Sequence, residues 1–183
     1  MLEKRTRKSG WLKMSDMLLD SWEEEAGAVI LPAPPEAVEL LRKAAAAYLD
    51  TEVALNYLIE ADRLYGDYIP VVLGCYKFRF YKGMLREAIP YAQKAARIMG
   101  THLGLSESFE EVRPDDAAFS EYEQKPRFYM FAMKAAGYLH ARLGETEKAL
   151  RILRKVQELD SKDRMGITRL IGVIENGGRE EEE

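Results

Sequence analysis

Ala54-Leu55-Asn56-Tyr57-Leu58-Ile59-Glu60-Ala61-Asp62-Arg63-Leu64-Tyr65-Gly66 returns, 34 residues later, as Ala88-Ile89-Pro90-Tyr91-Ala92-Gln93-Lys94-Ala95-Ala96-Arg97-Ile98-Met99-Gly100. Ala, Tyr, Ala, Arg and Gly recur in register, and two Leu/Ile exchanges keep the apolar positions. Ala54, Tyr57, Leu58, Ala61 and Leu64 step by three and four, as one side of an α-helix does. A third, partial copy follows after a shift of 61 residues: Ala149-Leu150, Leu153, Val156, Leu159.

Helices are expected on both sides of each copy. Pro35 can open one, since its missing N–H would be unpaired there anyway, and that helix reaches about Leu49. Asp50 or Thr51 caps the next, closed by Gly66. Residues 67–82 form another, with Pro70 in its first turn and Gly83 after its end. The helix that follows is expected to run to Met99 and close at Gly100; Pro90 sits inside it and is expected to kink it or delay its start. Phe128, Phe131, Ala132, Ala135, Tyr138 and Leu139 mark a strong helix ending near Gly144. Ser161 is expected to cap a last helix carrying Ile167, Leu170, Ile171 and Ile174. Between the second and third copies, residues 101–125 lack a long period, with short helices expected over 106–112 and 115–123. No segment alternates as a strand does. The chain reads as all-α.

A period near 34 residues built from two helices resembles the tetratricopeptide repeat. The third unit carries the likeness best. Met133, Ala136, Gly137 and His140 stand at the spacing W-x2-L-G-x2-Y, and Ala149 and Leu153 at A-x3-F. Small residues let paired helices approach closely, and Gly144 permits a left-handed turn. The first and second units depart from the pattern, with Arg42 and Tyr76 where a small residue is usual. The resemblance implies an α-solenoid of about three helical hairpins plus a C-terminal capping helix. The chain then divides into a basic arm and N-terminal amphipathic helix (1–33), a repeat domain (34–176, with the insertion 101–125) and an acidic tail (177–183).

The search for chemistry returns little. The sequence has one cysteine, Cys75, and two histidines, His102 and His140. That is too few ligands for a Cys/His zinc site. Phosphate-binding glycine loops and the D-x-[DN]-x-[DN]-G calcium loop are missing. No cofactor, no metal and no catalytic set is expected, so the chain does not read as an enzyme. Cys75, among Val71, Val72, Leu73 and Tyr76, reads as a buried inert thiol. A lone cysteine fits a reducing compartment, and the basic N-terminus lacks the apolar run of a secretory signal, so a cytoplasmic location is expected.

With catalysis disfavoured by the missing motifs, function is expected to lie in binding. In the family resembled, the first helix of each pair lines a concave groove. Carried onto this chain, that implies Lys43; Leu73, Lys77, Phe80 and Tyr81; and Phe131, Lys134, Tyr138 and Arg142. Cations among aromatics suit an extended acidic or apolar segment of another protein. The expectation is a protein-binding adaptor or chaperone-like module. Only Asn56 and Asn176 could serve a carboxylate clamp, and neither stands in a groove helix.

Charge is uneven along the chain. Lys4, Arg5, Arg7, Lys8 and Lys13 oppose Glu3 alone, whereas residues 105–124 carry seven acids against Arg113. The acidic stretch is expected either to occupy or rim the groove, competing with an acidic partner, or only to space the hairpins. The basic arm with the stripe Trp11, Met14, Leu18 and Trp22 supports an alternative, a membrane-surface scaffold using residues 1–26. The net charge of −4 argues against nucleic acid as a partner.

Overall fold

In a computed structural model, the chain is described over residues 33–121 and 123–177. Seven α-helices lie in this span: α1 Pro35–Ala46, α2 Thr51–Tyr65, α3 Ile69–Tyr81, α4 Leu85–Leu103, α5 Gln124–Arg142, α6 Thr146–Leu159 and α7 Ile167–Glu175. A 3₁₀ turn, Phe109–Glu111, interrupts the long α4–α5 connection, and no strand occurs among the described residues. The basic arm, the Trp11–Trp22 stripe and residues 178–183 of the acidic tail lie outside the described residues.

Consecutive helices pack on one another. α1 lies on α2, α3 on α4, α4 on α5 and α5 on α6, and α7 closes the end against α6. The duplicated alanines explain the pairing. Ala54, Ala88 and Ala149 each stand fourth in α2, α4 and α6, and each is fully buried. Their amides bond to equivalent carbonyls, those of Asp50, Met84 and Glu145. The turns before α4 and α6 are made alike by Gly83 and Gly144, at φ 74° and 77°. Gly137 has the role that its spacing implies. A Cβ there would sit 2.7 Å from Leu153 Cγ, a buried branch point, so only glycine lets α5 and α6 meet this closely.

Several boundaries differ from the sequence reading. α1 stops at Ala46 instead of Leu49, because the chain turns over residues 47–50 and Asp50 caps α2 by accepting from the Val53 amide. α4 runs past Gly100 to Leu103, where Gly104 adopts φ 70°. Pro90 does not delay α4, which already starts at Leu85. The last helix is not capped by Ser161. Asp163 caps it, its Oδ1 accepting from the amides of Ile167 and Thr168. Of the two short helices expected between α4 and α5, only the turn Phe109–Glu111 forms.

Two apolar cores result. The smaller joins α1 and α2 to one side of α3 through Ala37, Ala44, Ala54, Leu58, Ala61, Val71, Cys75 and Phe78. The larger runs from the other side of α3 through α4, α5, α6 and α7.

Candidate interaction surface

α3 carries the sequence Ile-Pro-Val-Val-Leu-Gly-Cys-Tyr-Lys-Phe-Arg-Phe-Tyr, apolar around nearly its whole girth. Such a helix must be covered on most sides. α2, α4 and α1 do much of this, and α1 comes near at Gly74. A Cβ on Gly74 would stand 2.8 Å from Leu41 Cδ2. Beside this contact α1 and α3 diverge, leaving a cleft of about 210 Å³ lined by Leu41, Ala44, Ala45, Tyr48, Leu58, Gly74, Lys77, Phe78 and Tyr81.

Aromatic rings continue from that cleft toward α5. Tyr48 meets Phe78 edge-on at 5.7 Å, and Lys82 Nζ stands 4.2 Å above the Tyr48 ring. Tyr81 meets Phe80 edge-on at 6.1 Å, and Phe80 lies 6.3 Å from Tyr138. Arg142 then donates to the Tyr138 hydroxyl at 2.9 Å. Tyr81 is 51% exposed and Tyr48 39% exposed, large fractions for rings bordering an apolar floor.

Of the nine residues read as groove, the structure leaves Lys77, Tyr81 and Arg142 at this surface, with Phe80 and Tyr138 buried beneath it. The expectation fails for two cations. Lys43 lies on the other flank of α1, its Nζ 5.9 Å from the Tyr57 ring of α2. Lys134 is buried, and its Nζ donates to the Met165 carbonyl at 2.6 Å. Burial pushes its pKa down to about 8, against the opposing pull of Asp163 and Asp160. Leu73, Phe80, Phe131 and Tyr138 belong to the larger core, since successive helices close over them. Sequence reasoning missed Leu41, Tyr48 and Lys82. The signal for Tyr48 was its place seven residues after Leu41, on the same helical side.

The acidic segment does not rim these cations. Val112 and Phe119 are buried, and Phe119 lies 6.1 Å from the Tyr129 ring of α5. Lys155 of α6 donates to the Val112 carbonyl at 3.0 Å, and Arg151 pairs with Glu110 at 3.6 Å. Residues 105–109 wall a second cleft, of about 280 Å³, whose floor is Ala96, Gly100, Met133, Ala136 and Ile152.

The remaining chemistry-bearing groups are held in structural roles. Cys75 Sγ lies 3.6 Å from the Leu58 carbonyl, and burial pushes its pKa up to about 11, which suppresses the reactive thiolate. His140 Nδ1 is 2.6 Å from Glu145 Oε2, and Arg86 donates to Glu145 Oε1 at 2.8 Å. The Arg86 and His140 hydrogen bonds hold Glu145 down to about 2. No cluster of three or more metal-ligating side chains occurs among the described residues.

No family model matches the chain, and no solved structure matches it. A curated protein does: the uncharacterized 19.8 kDa protein in the nifW 5' region of Azotobacter chroococcum mcd 1. It is 33% identical over 119 residues, which are 64% of this chain and 67% of that protein. At that identity and coverage, this chain belongs to the same family as the Azotobacter protein.

Proposed function

We propose that this chain is an interaction module, a tetratricopeptide-like array of three hairpins (α1/α2, α3/α4, α5/α6) that binds an extended segment of another protein. The observation that carries the reading is the α1/α3 cleft, where exposed Tyr48 and Tyr81 flank an apolar floor edged by Lys77 and Lys82. Aromatic faces supply burial at little entropic cost, and cations at a rim steer an acidic partner. The equivalent placement of Ala54, Ala88 and Ala149 supports the repeat. A reducing, cytoplasmic setting suits its unpaired thiol.

The test is photo-crosslinking in the host cell. A benzoyl-phenylalanine at position 81 should capture a defined partner, and the same group at the exposed Asn56 of α2 should not. Tyr48→Ala in the position-81 protein should reduce capture severalfold while leaving the thermal melt nearly unchanged. Equal capture from positions 81 and 56 would show that the cleft is not the binding surface.

A further inference from the structure

We propose that the α1/α3 cleft is occupied by a segment of this same chain, residues 14–25, which a partner must displace. This rests on reading the cleft as a segment-binding surface, and it names the first segment to bind there.

Chemistry of the two surfaces makes the match. The cleft offers an apolar floor, two exposed rings and the cations Lys77 and Lys82. Lys82 is held over the Tyr48 ring and pairs with no carboxylate among the described residues. Residues 14–25 read Met-Ser-Asp-Met-Leu-Leu-Asp-Ser-Trp-Glu-Glu-Glu. Met14, Leu18 and Trp22 recur every four residues, giving one apolar stripe if the segment is helical. Asp16, Asp20, Glu23, Glu24 and Glu25 supply acid, and no Lys or Arg occurs from 14 to 33. An amphipathic helix laid in an apolar groove is a recurring recognition mode.

Reach also fits. The chain enters α1 at Pro35, and α1 itself forms one wall of the cleft. Residues 26–34 can span roughly 30 Å when extended. Tyr48, at the far end of the cleft, lies about 20 Å along the helix from Pro35, at 1.5 Å per residue. A tether this short gives a local concentration of order 1 mM, which a foreign segment or a second copy must outcompete.

The sequence provides its own probe. The only two tryptophans of the chain are Trp11 and Trp22, so with Trp11→Phe the selectively excited tryptophan emission reports on Trp22 of this segment alone. Emission should be blue-shifted and protected from iodide. The pair Lys82→Glu with Tyr81→Ala should red-shift it and raise the quenching constant severalfold. Leu18→Asp, a change in the middle of the segment's apolar stripe, should do the same. A dye-labelled peptide of residues 14–25 should bind Leu18→Asp about tenfold more tightly than wild type, because the tethered competitor is gone. In purified protein, benzoyl-phenylalanine at position 81 should crosslink to residues 14–25 at monomer mass. Trp22 freely quenched in the Trp11→Phe chain overturns the proposal. So does a crosslink at dimer mass, which would make the occupant a second copy. The two readings separate cleanly. A protected Trp22 with no partner captured by Leu18→Asp would keep the intramolecular contact and sink the adaptor. A freely quenched Trp22 with a captured partner would do the reverse.

Discussion

At the scale of the residue, Lys134 shows where periodicity stops informing. It stands three residues after Phe131 and four before Tyr138, so helical spacing assigns it to the side that those aromatics share. Nothing in that spacing reveals that the loop carrying Met165 lies there and takes the ammonium as a donor. Leu73 and Phe131 were placed on the correct helices, but their burial depends on neighbours distant in sequence. Lys77 and Tyr81, in the C-terminal half of α3, keep part of their surface open, a difference from their neighbours Tyr76 and Phe80 that spacing alone does not show. Burying the Lys134 charge should cost up to about 3 kcal/mol, the equivalent of its pKa displacement. The sign follows from linkage. With the folded pKa near 8 and the ordinary value at 10.5, the unfolded chain binds the extra proton between those limits. Stability from this group therefore rises with pH across that window. Wild type should gain on Lys134→Met between about pH 8 and 10.5, measured as the difference in their denaturation free energies. Taking the difference cancels Cys75, whose raised pKa acts in the opposite direction. Parallel curves would mean that Lys134 is hydrated.

At the scale of the element, the duplicated stretches located α2, α4 and α6, although α4 extends to Leu103, beyond the Gly100 that closes the repeat. Ala54, Ala88 and Ala149 all stand where helices touch, so their recurrence carries packing information. Helix ends were less legible. α1 closes at Ala46 because Asp50 is committed to capping α2, a competition that apolar spacing does not display. The acidic segment was opaque for a related reason: its structure rests on two buried side chains, Val112 and Phe119, and on donors from α6. Pro90 is the element's clearest liability. It stands sixth in α4, lacks the N–H that would reach the Arg86 carbonyl, and its own side chain is exposed. Pro90→Ala should stabilise the protein by about 1–2 kcal/mol, the restored helical bond being partly offset by a freer unfolded chain. A melt at or below wild type would show that α4 needs its proline.

For the whole molecule, Glu145 is a hub between hairpins. It sits in the α5–α6 turn, yet bonds to Arg86 at the start of α4 as well as to His140. Its folded pKa near 2 lies below the ordinary 4.5, so its contribution is fully present above pH 4.5 and fades as pH falls toward 2. Glu145→Gln should lower stability at neutral pH and flatten the acid limb between those values, read from urea midpoints at several pH values. An unchanged acid limb would show that Arg86 and His140 do not hold the carboxylate in solution. The division of α3 between two cores has a different kind of consequence. The first hairpin is held by the smaller core and by Asp62 of α2, which accepts from Tyr91 and Lys94 of α4, so it is expected to open as a unit at a lower free energy than α3–α7. Cys75 points into that smaller core, with its thiol against α2. A thiol reagent should therefore act as a clock for the detachment of one hairpin, ticking faster than global unfolding allows.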